Sequence, residues 1–327
     1  MVQRQSAKIN RGSCLGDSQA RSNNTVQGRN SHATLTAEIA LAPFQVVGGY
    51  IITQLLATLP SLSPDQFNIV DNILSMAIAT MGAAALFFFL ARSSVASKYR
   101  PALLVSGLVV SIACYHYFMI RLSWNGAFTN MGTSYDPTPG KSFNDFYRYA
   151  DWILTVPLLM VELVTVMALA REISRPLLTK LVIAAALMIG LGYPGEVSAD
   201  WTARLIWGVL SSIPFFYILY VLWVELTKSL EAQPKEVRNL LSVARLVLLI
   251  TWAFYPIAYA IYGDSLPGAK PGIMGEKSGL GLVGIQVGYA IADITAKAGF
   301  GVLIYMIAKA KTDLMTTDER VQQLAVA

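Results

Sequence analysis

Charge is what this chain has least of. Of its 327 residues only 14% are charged against 54% hydrophobic, and the mean hydropathy is +0.50. A soluble domain carries about 25% charged residues, so a globule wetted on all sides is excluded and much of the surface must face lipid. Cysteine is nearly absent. Cys14 lies in a polar leader and Cys114 inside an apolar run, which excludes a disulfide framework and any CxxC metal or redox site. Histidine is as scarce, with His116 the one copy in the hydrophobic part of the chain, and no His or Cys cluster has metal-ligand spacing. There is no P-loop and no GxSxG. The glycines of Gly190-Leu-Gly192-Tyr-Pro-Gly195 are expected to follow a helix instead of a strand, so nucleotide-binding and hydrolase chemistry have no support and an enzyme is not expected. The net charge of +5 is too small and too scattered for a nucleic-acid groove, and fits a loop bias at a bilayer.

What is present is organised by apolar runs. Residues 1–37 are rich in Ser, Asn, Gln and Arg with Asp17 as their one acid, and read as a disordered or targeting leader. Ile39–Leu59 is uncharged and broken by Pro43 and Gly48-Gly49; a signal segment, an interfacial helix and an extra span all fit it. Seven runs follow, over 67–91, 101–124, 146–170, 178–193, 202–227, 240–263 and 281–308, each near the roughly 20 residues that a bilayer core demands. The expected fold is an all-α membrane protein, a seven-transmembrane-helix bundle over 61–312, with a leader at 1–60 and a tail at 313–327. Basic residues gather after the first, third, fifth and seventh runs, as in Arg92, Lys98, Arg100; Arg171, Arg175, Lys180; Lys228, Lys235, Arg238; Lys309 and Lys311. The other side carries fewer, among them Lys141, Lys270 and Lys277. By the positive-inside bias the bundle starts outside and ends in the cytoplasm. Lipid is therefore one expected partner, and a homo-oligomer of unspecified size another.

Ionisable residues inside spans are costly and by default functional. The third run reads Arg148-Tyr-Ala-Asp151-Trp-Ile-Leu-Thr155-Val-Pro157-Leu-Leu-Met-Val-Glu162. At 100° per residue Asp151, Thr155 and Glu162 fall within about 40° of one another, on one stripe. Asp151 and Glu162 are then about 16 Å apart along the axis, half the hydrocarbon thickness. That is relay spacing, too long for a pair, and a polar helix contact would seldom need two acids with no base between them. The seventh run places Lys297 one turn after Asp293, a buried ion pair by pattern. A plain structural pair accounts for it; so does chemistry, because a desolvated lysine can condense with an aldehyde to an imine whose protonated form needs carboxylate counterions. Asp293 and Asp151 are the candidates. From pattern alone His116 reads as a satisfied core histidine, and Arg148 as a partner for Asp151 or an arginine reaching for the interface.

With these residues in place, the chain resembles a microbial rhodopsin over about 62–312. The stretches Phe143-Asn-Asp-Phe-Tyr-Arg-Tyr-Ala-Asp-Trp152, Gly192-Tyr-Pro-Gly-Glu-Val-Ser198 and Phe254-Tyr-Pro-Ile-Ala-Tyr259 are most similar to the xanthorhodopsin-like and Gloeobacter-rhodopsin-like proton pumps. The resemblance implies all-trans retinal carried by Lys297 as a protonated Schiff base, in the core of the bundle. It makes Asp151 primary counterion and proton acceptor, Asp293 second counterion, Arg148 charge partner and Glu162 cytoplasmic proton donor. It reverses the pattern reading of His116, which would bond to the Asp151 carboxylate. Trp152 and Trp252 would flank the polyene, with Tyr149, Met188, Gly192, Ser211, Phe215, Tyr255, Pro256 and Tyr259 around it and Leu159 at the position that goes with green absorption. Glu196 and Glu276 are candidates for a release group. Gly208 stands where many relatives carry a bulky aromatic, and the resemblance implies a window through which a hydroxylated carotenoid contacts the retinal ring; close helix packing is the other account of a glycine there. The function implied is a light-driven outward proton pump, with sensory signalling and light-gated conduction as the alternatives.

Overall fold

The computed structural model describes residues 59–144, 146–196, 198, 201–231, 233–261 and 279–315. The leader, all of 39–59 but its last residue, Glu276, Lys270, Lys277 and the tail beyond 315 lie outside the described residues. Among the described residues, seven stretches are long and apolar enough to cross a bilayer. We label them α1 (Pro64–Ala91), α2 (Arg100–Ala127), α3 (Phe146–Met167), α4 (Arg171–Glu196), α5, α6 (Lys235–Ile261) and α7. α5 runs Trp201–Tyr220, passes through a π turn at Val221–Glu225 and ends with Leu226–Glu231. α7 runs Gly279–Asp293, through a π turn at Ile294–Gly299, to Phe300–Asp313.

Local chemistry sets several ends. Ser63 caps α1: its side chain accepts from the Gln66 backbone, and the Gln66 side chain accepts from the Ser63 backbone, so two donors at the helix start are satisfied reciprocally. α3 stops at Met167 because Ala168 turns left-handed, with φ of 51°. α4 starts at Arg171, earlier than its apolar run, and its first turns carry Arg171, Glu172, Arg175 and Lys180. It also absorbs Gly190, Gly192 and Gly195, which were expected to follow a helix and instead lie within one. A membrane helix tolerates glycine and proline where neighbouring helices supply the packing. Between α2 and α3, strands β1 (Phe128–Asn130) and β2 (Tyr135–Pro137) pair antiparallel, and Leu62 adds a bridge to Tyr135.

The helices form a closed ring, each packed on its sequence neighbour and α7 on α1. Large apolar side chains such as Leu86, Phe118, Ile183, Ile213 and Ile250 are exposed around it, a surface suited to lipid tails. Burial is uneven. The membrane windows of α3, α7 and α2 are 61%, 56% and 50% buried against 22% for α1 and α5. The three most enclosed helices are the ones that carry His116, Arg148, Asp151, Glu162, Asp293 and Lys297, all buried. Burying the charges together is the arrangement a bilayer interior demands.

Candidate functional site

The site centres on Lys297, 2% exposed. Its Nζ donates to Asp151 Oδ2 across the bundle and, at 2.9 Å, to Asp293 Oδ2 one turn earlier on α7. The π turn at Ile294–Gly299 holds the lysine, and such an extra residue per turn is a recurrent feature of functional sites in helices. The two acids are not equivalent. Asp293 also accepts from the Tyr117 hydroxyl at 2.9 Å, the Tyr255 hydroxyl at 2.5 Å and Trp152 Nε1 at 3.3 Å. Asp151 Oδ1 accepts no hydrogen bond. Thr155 donates to the Asp151 backbone carbonyl at 2.9 Å, fastening the stripe to its own helix.

His116 departs from expectation. Its Nδ1 bonds the Ile112 carbonyl of its own helix at 2.9 Å and stands 3.9 Å from Asp151 Oδ1. That distance is too long for a hydrogen bond, so the expected bond to the acceptor carboxylate is replaced by proximity: the helix carbonyl four residues back has taken the ring nitrogen. Arg148 is fully buried, donates to Gln286 Oε1 and, at 3.4 Å, to the Tyr117 hydroxyl, and lies 4.9 Å from the Tyr289 ring centroid. Gln286, Tyr289 and Tyr117 were not singled out from sequence. The signal was there in part, because Gln286, Tyr289, Asp293 and Lys297 recur at helical spacing on one face of α7.

Glu162 sits eleven residues past Asp151 on α3 and is completely buried. Ser106 of α2 faces it, but the Ser106 hydroxyl also reaches the Ala102 carbonyl at 3.2 Å, and neither Glu162 oxygen has a partner of full hydrogen-bond geometry.

From Lys297 a cavity of about 330 Å³ runs between α3, α4, α5 and α6. Its lining includes every residue expected around a chromophore: Tyr149, Trp152, Leu159, Met188, Gly192, Gly208, Ser211, Phe215, Trp252, Tyr255, Pro256 and Tyr259. Sequence reasoning missed Val156, Ile189, Arg204, Leu205, Val209, Ser212, Tyr289 and Ala296, which line it too. The slot is long, aromatic and apolar with an amine at one end, and so fits retinal. At the other end Arg204 donates to the Glu196 carbonyl at 3.0 Å and stands 3.5 Å from its carboxylate, so this release candidate is engaged in an ion pair. Tyr259 completes the group, donating to the Arg204 carbonyl at 2.8 Å. The same ring covers Gly208: a Cβ built there would meet Tyr259 Cε1 at 2.8 Å, too close without displacement. Helix packing thus accounts for the glycine by itself. Leu205 and Val209, both about half exposed, nevertheless line the cavity beside it, so the slot reaches the outer face of α5.

A seven-helix membrane bundle with a buried lysine between two carboxylates, opening on an aromatic slot, is suited to a chromophore protein. The family is shown by comparison. Residues 68–311 match the model of the bacteriorhodopsin-like protein family, and the chain belongs to it, as a microbial (type 1) rhodopsin. It is 32% identical over 234 residues to a green-light absorbing proteorhodopsin of a gamma-proteobacterium, covering 70% of this chain and 82% of that protein. To bacteriorhodopsin of Halobacterium salinarum it is 27% identical over 235 residues, covering 71% and 80%. Among solved structures it is similar to xanthorhodopsin, described as a light-driven ion pump with dual chromophore, at 52% identity and a TM-score of 0.71. Thermophilic rhodopsin is similar at 50% and 0.72, and each comparison covers 78% of this chain and 98% of the other.

Proposed function

We propose that this rhodopsin is a light-driven outward proton pump that carries retinal on Lys297. The observation that carries the reading is the pair of buried acids on one face of α3, Asp151 in contact with Lys297 and Glu162 eleven residues beyond it. Retinal, when bound, supplies the absorption of light and a change of shape about a double bond. The remaining work belongs to side chains. Lys297 Nζ passes its proton to Asp151 Oδ2, which it already touches. Asp293 keeps its negative charge throughout, because three further donors stabilise the ionised form. Asp151, with one oxygen free, is the acid left to take the proton. Glu162 holds a proton at rest, since an ionised carboxylate without full hydrogen bonding is expensive in that place, and refills the lysine nitrogen from the opposite side. Arg148, with Gln286 and the Tyr117 and Tyr289 rings, keeps the site's second positive charge on the release side. Outward direction rests on the basic residues after α1, α3 and α5 and in the last turns of α7, which by the positive-inside bias favour the cytoplasmic side for those ends.

Illuminating unbuffered cells that express the protein tests this directly. The medium should acidify, and a protonophore should abolish the effect. A passive current that reverses with voltage, or no pH change at all, would sink the pump. Glu162→Gln should leave the colour nearly unchanged and slow the return of the proton to Lys297 by roughly a hundredfold, the scale of a lost general acid. Recovery at the wild-type rate in flash spectroscopy would remove the donor assignment.

The second pigment belongs to this proposal as well. The cavity's approach to the lipid face at Leu205 and Val209 gives a carotenoid ring a route to the slot, with Tyr259 as the contact. After incubation with hydroxylated carotenoids, the excitation spectrum of pumping should gain blue bands with fine structure. Gly208→Trp should remove them, and it must displace Tyr259 to do so. Absence of such bands in the wild type with several xanthophylls means that retinal works alone.

A further inference from the structure

The last turn of α7 ties together parts of the fold that the mechanism leaves unconnected. Lys311 Nζ donates to the Met167 carbonyl at 2.8 Å and to the Val166 carbonyl at 3.3 Å, the final two residues of α3. The same ammonium lies 5.3 Å from the centre of the buried Tyr99 ring, and the exposed Lys98 stands 5.2 Å from that ring. Thr312, next along α7, accepts from the Ala96 backbone at 2.9 Å in the α1–α2 connection. One helix end therefore holds two neighbouring ones.

At the end of α3 this contact has a particular meaning. The last four carbonyls of a helix have no partner within it. Here the Ala168 backbone takes the Thr165 carbonyl at 3.1 Å, and Lys311 takes the next two. A cation at that end also complements the helix dipole. Val166 is four residues past Glu162, so its N–H closes the turn on the Glu162 carbonyl, and the Lys311 cap lies about 7 Å along the axis from Glu162. If the cap opens, the turn that frays is the one separating Glu162 from cytoplasmic water.

We propose that Lys311 is a positioning residue for the proton donor: its cap on Val166 and Met167 keeps the cytoplasmic turn of α3 wound and so seals Glu162 from water in the dark. The inference rests on the donor reading of Glu162 for its significance in pumping, but the seal can be measured without light. The probe is deuterium oxide, with the Glu162 carboxyl stretch followed by infrared spectroscopy and the band identified by its loss in Glu162→Gln. In Lys311→Met the carboxyl should exchange at least roughly tenfold faster than in the wild type, and the amides of the last α3 turn should lose protection with it, as local opening predicts. Lys311→Arg, which restores a cation and donors, should exchange as the wild type does. Lys311→Gln keeps a shorter donor without charge, should fall between them, and serves if the methionine variant does not fold. Colour and the rate of proton transfer to Asp151 should be unchanged in all three. Equal exchange in Lys311→Met and wild type overturns the seal, as does an arginine variant as open as the methionine one. Faster amide exchange with an unchanged carboxyl also overturns it, leaving a cap with no bearing on Glu162. An unimpaired photocycle in Glu162→Gln would be a different failure, of the donor reading, and would leave the exchange result standing.

Discussion

Lys297→Ala should yield a folded, colourless protein that added retinal does not colour. Among the described residues, Lys297 is the lysine that opens onto the aromatic slot, and no other amine lines it, so loss of the visible band should be complete. The change also strips the cation from between Asp151 and Asp293, both about 1% or less exposed. Breaking a buried pair from one side costs about 3–5 kcal/mol, less whatever is recovered when one carboxyl takes up a proton. A lower unfolding midpoint with helix content intact by circular dichroism is the expected companion result. A normal band after reconstitution would move the attachment point elsewhere and with it the whole site.

Asp151→Asn should abolish pumping while leaving retinal attached. The variant removes the negative charge that contacts Lys297 Nζ and leaves Asp293 as the one negative group in contact with it. Absorption should shift to the red, because less negative charge then stabilises the positive nitrogen in the ground state. Light-driven acidification should fall by at least about a hundredfold, as for loss of an essential proton acceptor. The matching change at the second acid separates their roles. Asp293→Asn turns one of two accepting oxygens into a donor, against Tyr117 and Lys297 on one side or Tyr255 and Trp152 on the other, so it should cost more in stability than Asp151→Asn does. If Asp151→Asn pumps at the wild-type rate in cells, the order of the two carboxylates is wrong.

The bundle was legible from sequence because lipid imposes a length and forbids charge. Seven apolar runs predicted seven spans, and the few ions within them predicted the centre, since Asp151, Glu162, Asp293 and Lys297 stand out only against an apolar ground. The ends were harder. α1 begins at Pro64 through the Ser63–Gln66 capping box, a signal present in the sequence, whereas α4 hides its start among charged residues and Pro176. Gly190 to Gly195 look like a helix break and are not; Ser211 fills the space beside Gly192 and Tyr259 that beside Gly195. The π turn at Lys297 leaves no trace in an apolar pattern. His116 shows the limit from the other side: the resemblance supplies its neighbour Asp151, but which oxygen its Nδ1 meets depends on competition with the Ile112 carbonyl. Gln286 and Tyr289 were missed because neutral polar residues carry little weight beside ions, although their spacing put them on the site's face.

The height of Glu162 above Asp151 has an electrical consequence. With about 16 Å of helix rise between them in a hydrocarbon core of about 30 Å, a proton that passed from Glu162 to the lysine nitrogen, as proposed, would cross roughly half of the membrane. A full crossing works against about 2.3 kcal/mol for each 100 mV, so this one hop bears about half of that load. The buried quartet of Lys297, Arg148, Asp151 and Asp293 is neutral as a whole, and a shift between Lys297 and Asp151 moves charge over a single contact distance. Membrane voltage should therefore weigh on refilling far more than on the first transfer. A cell that builds a large potential would brake this protein at the donor, with Asp151 already protonated.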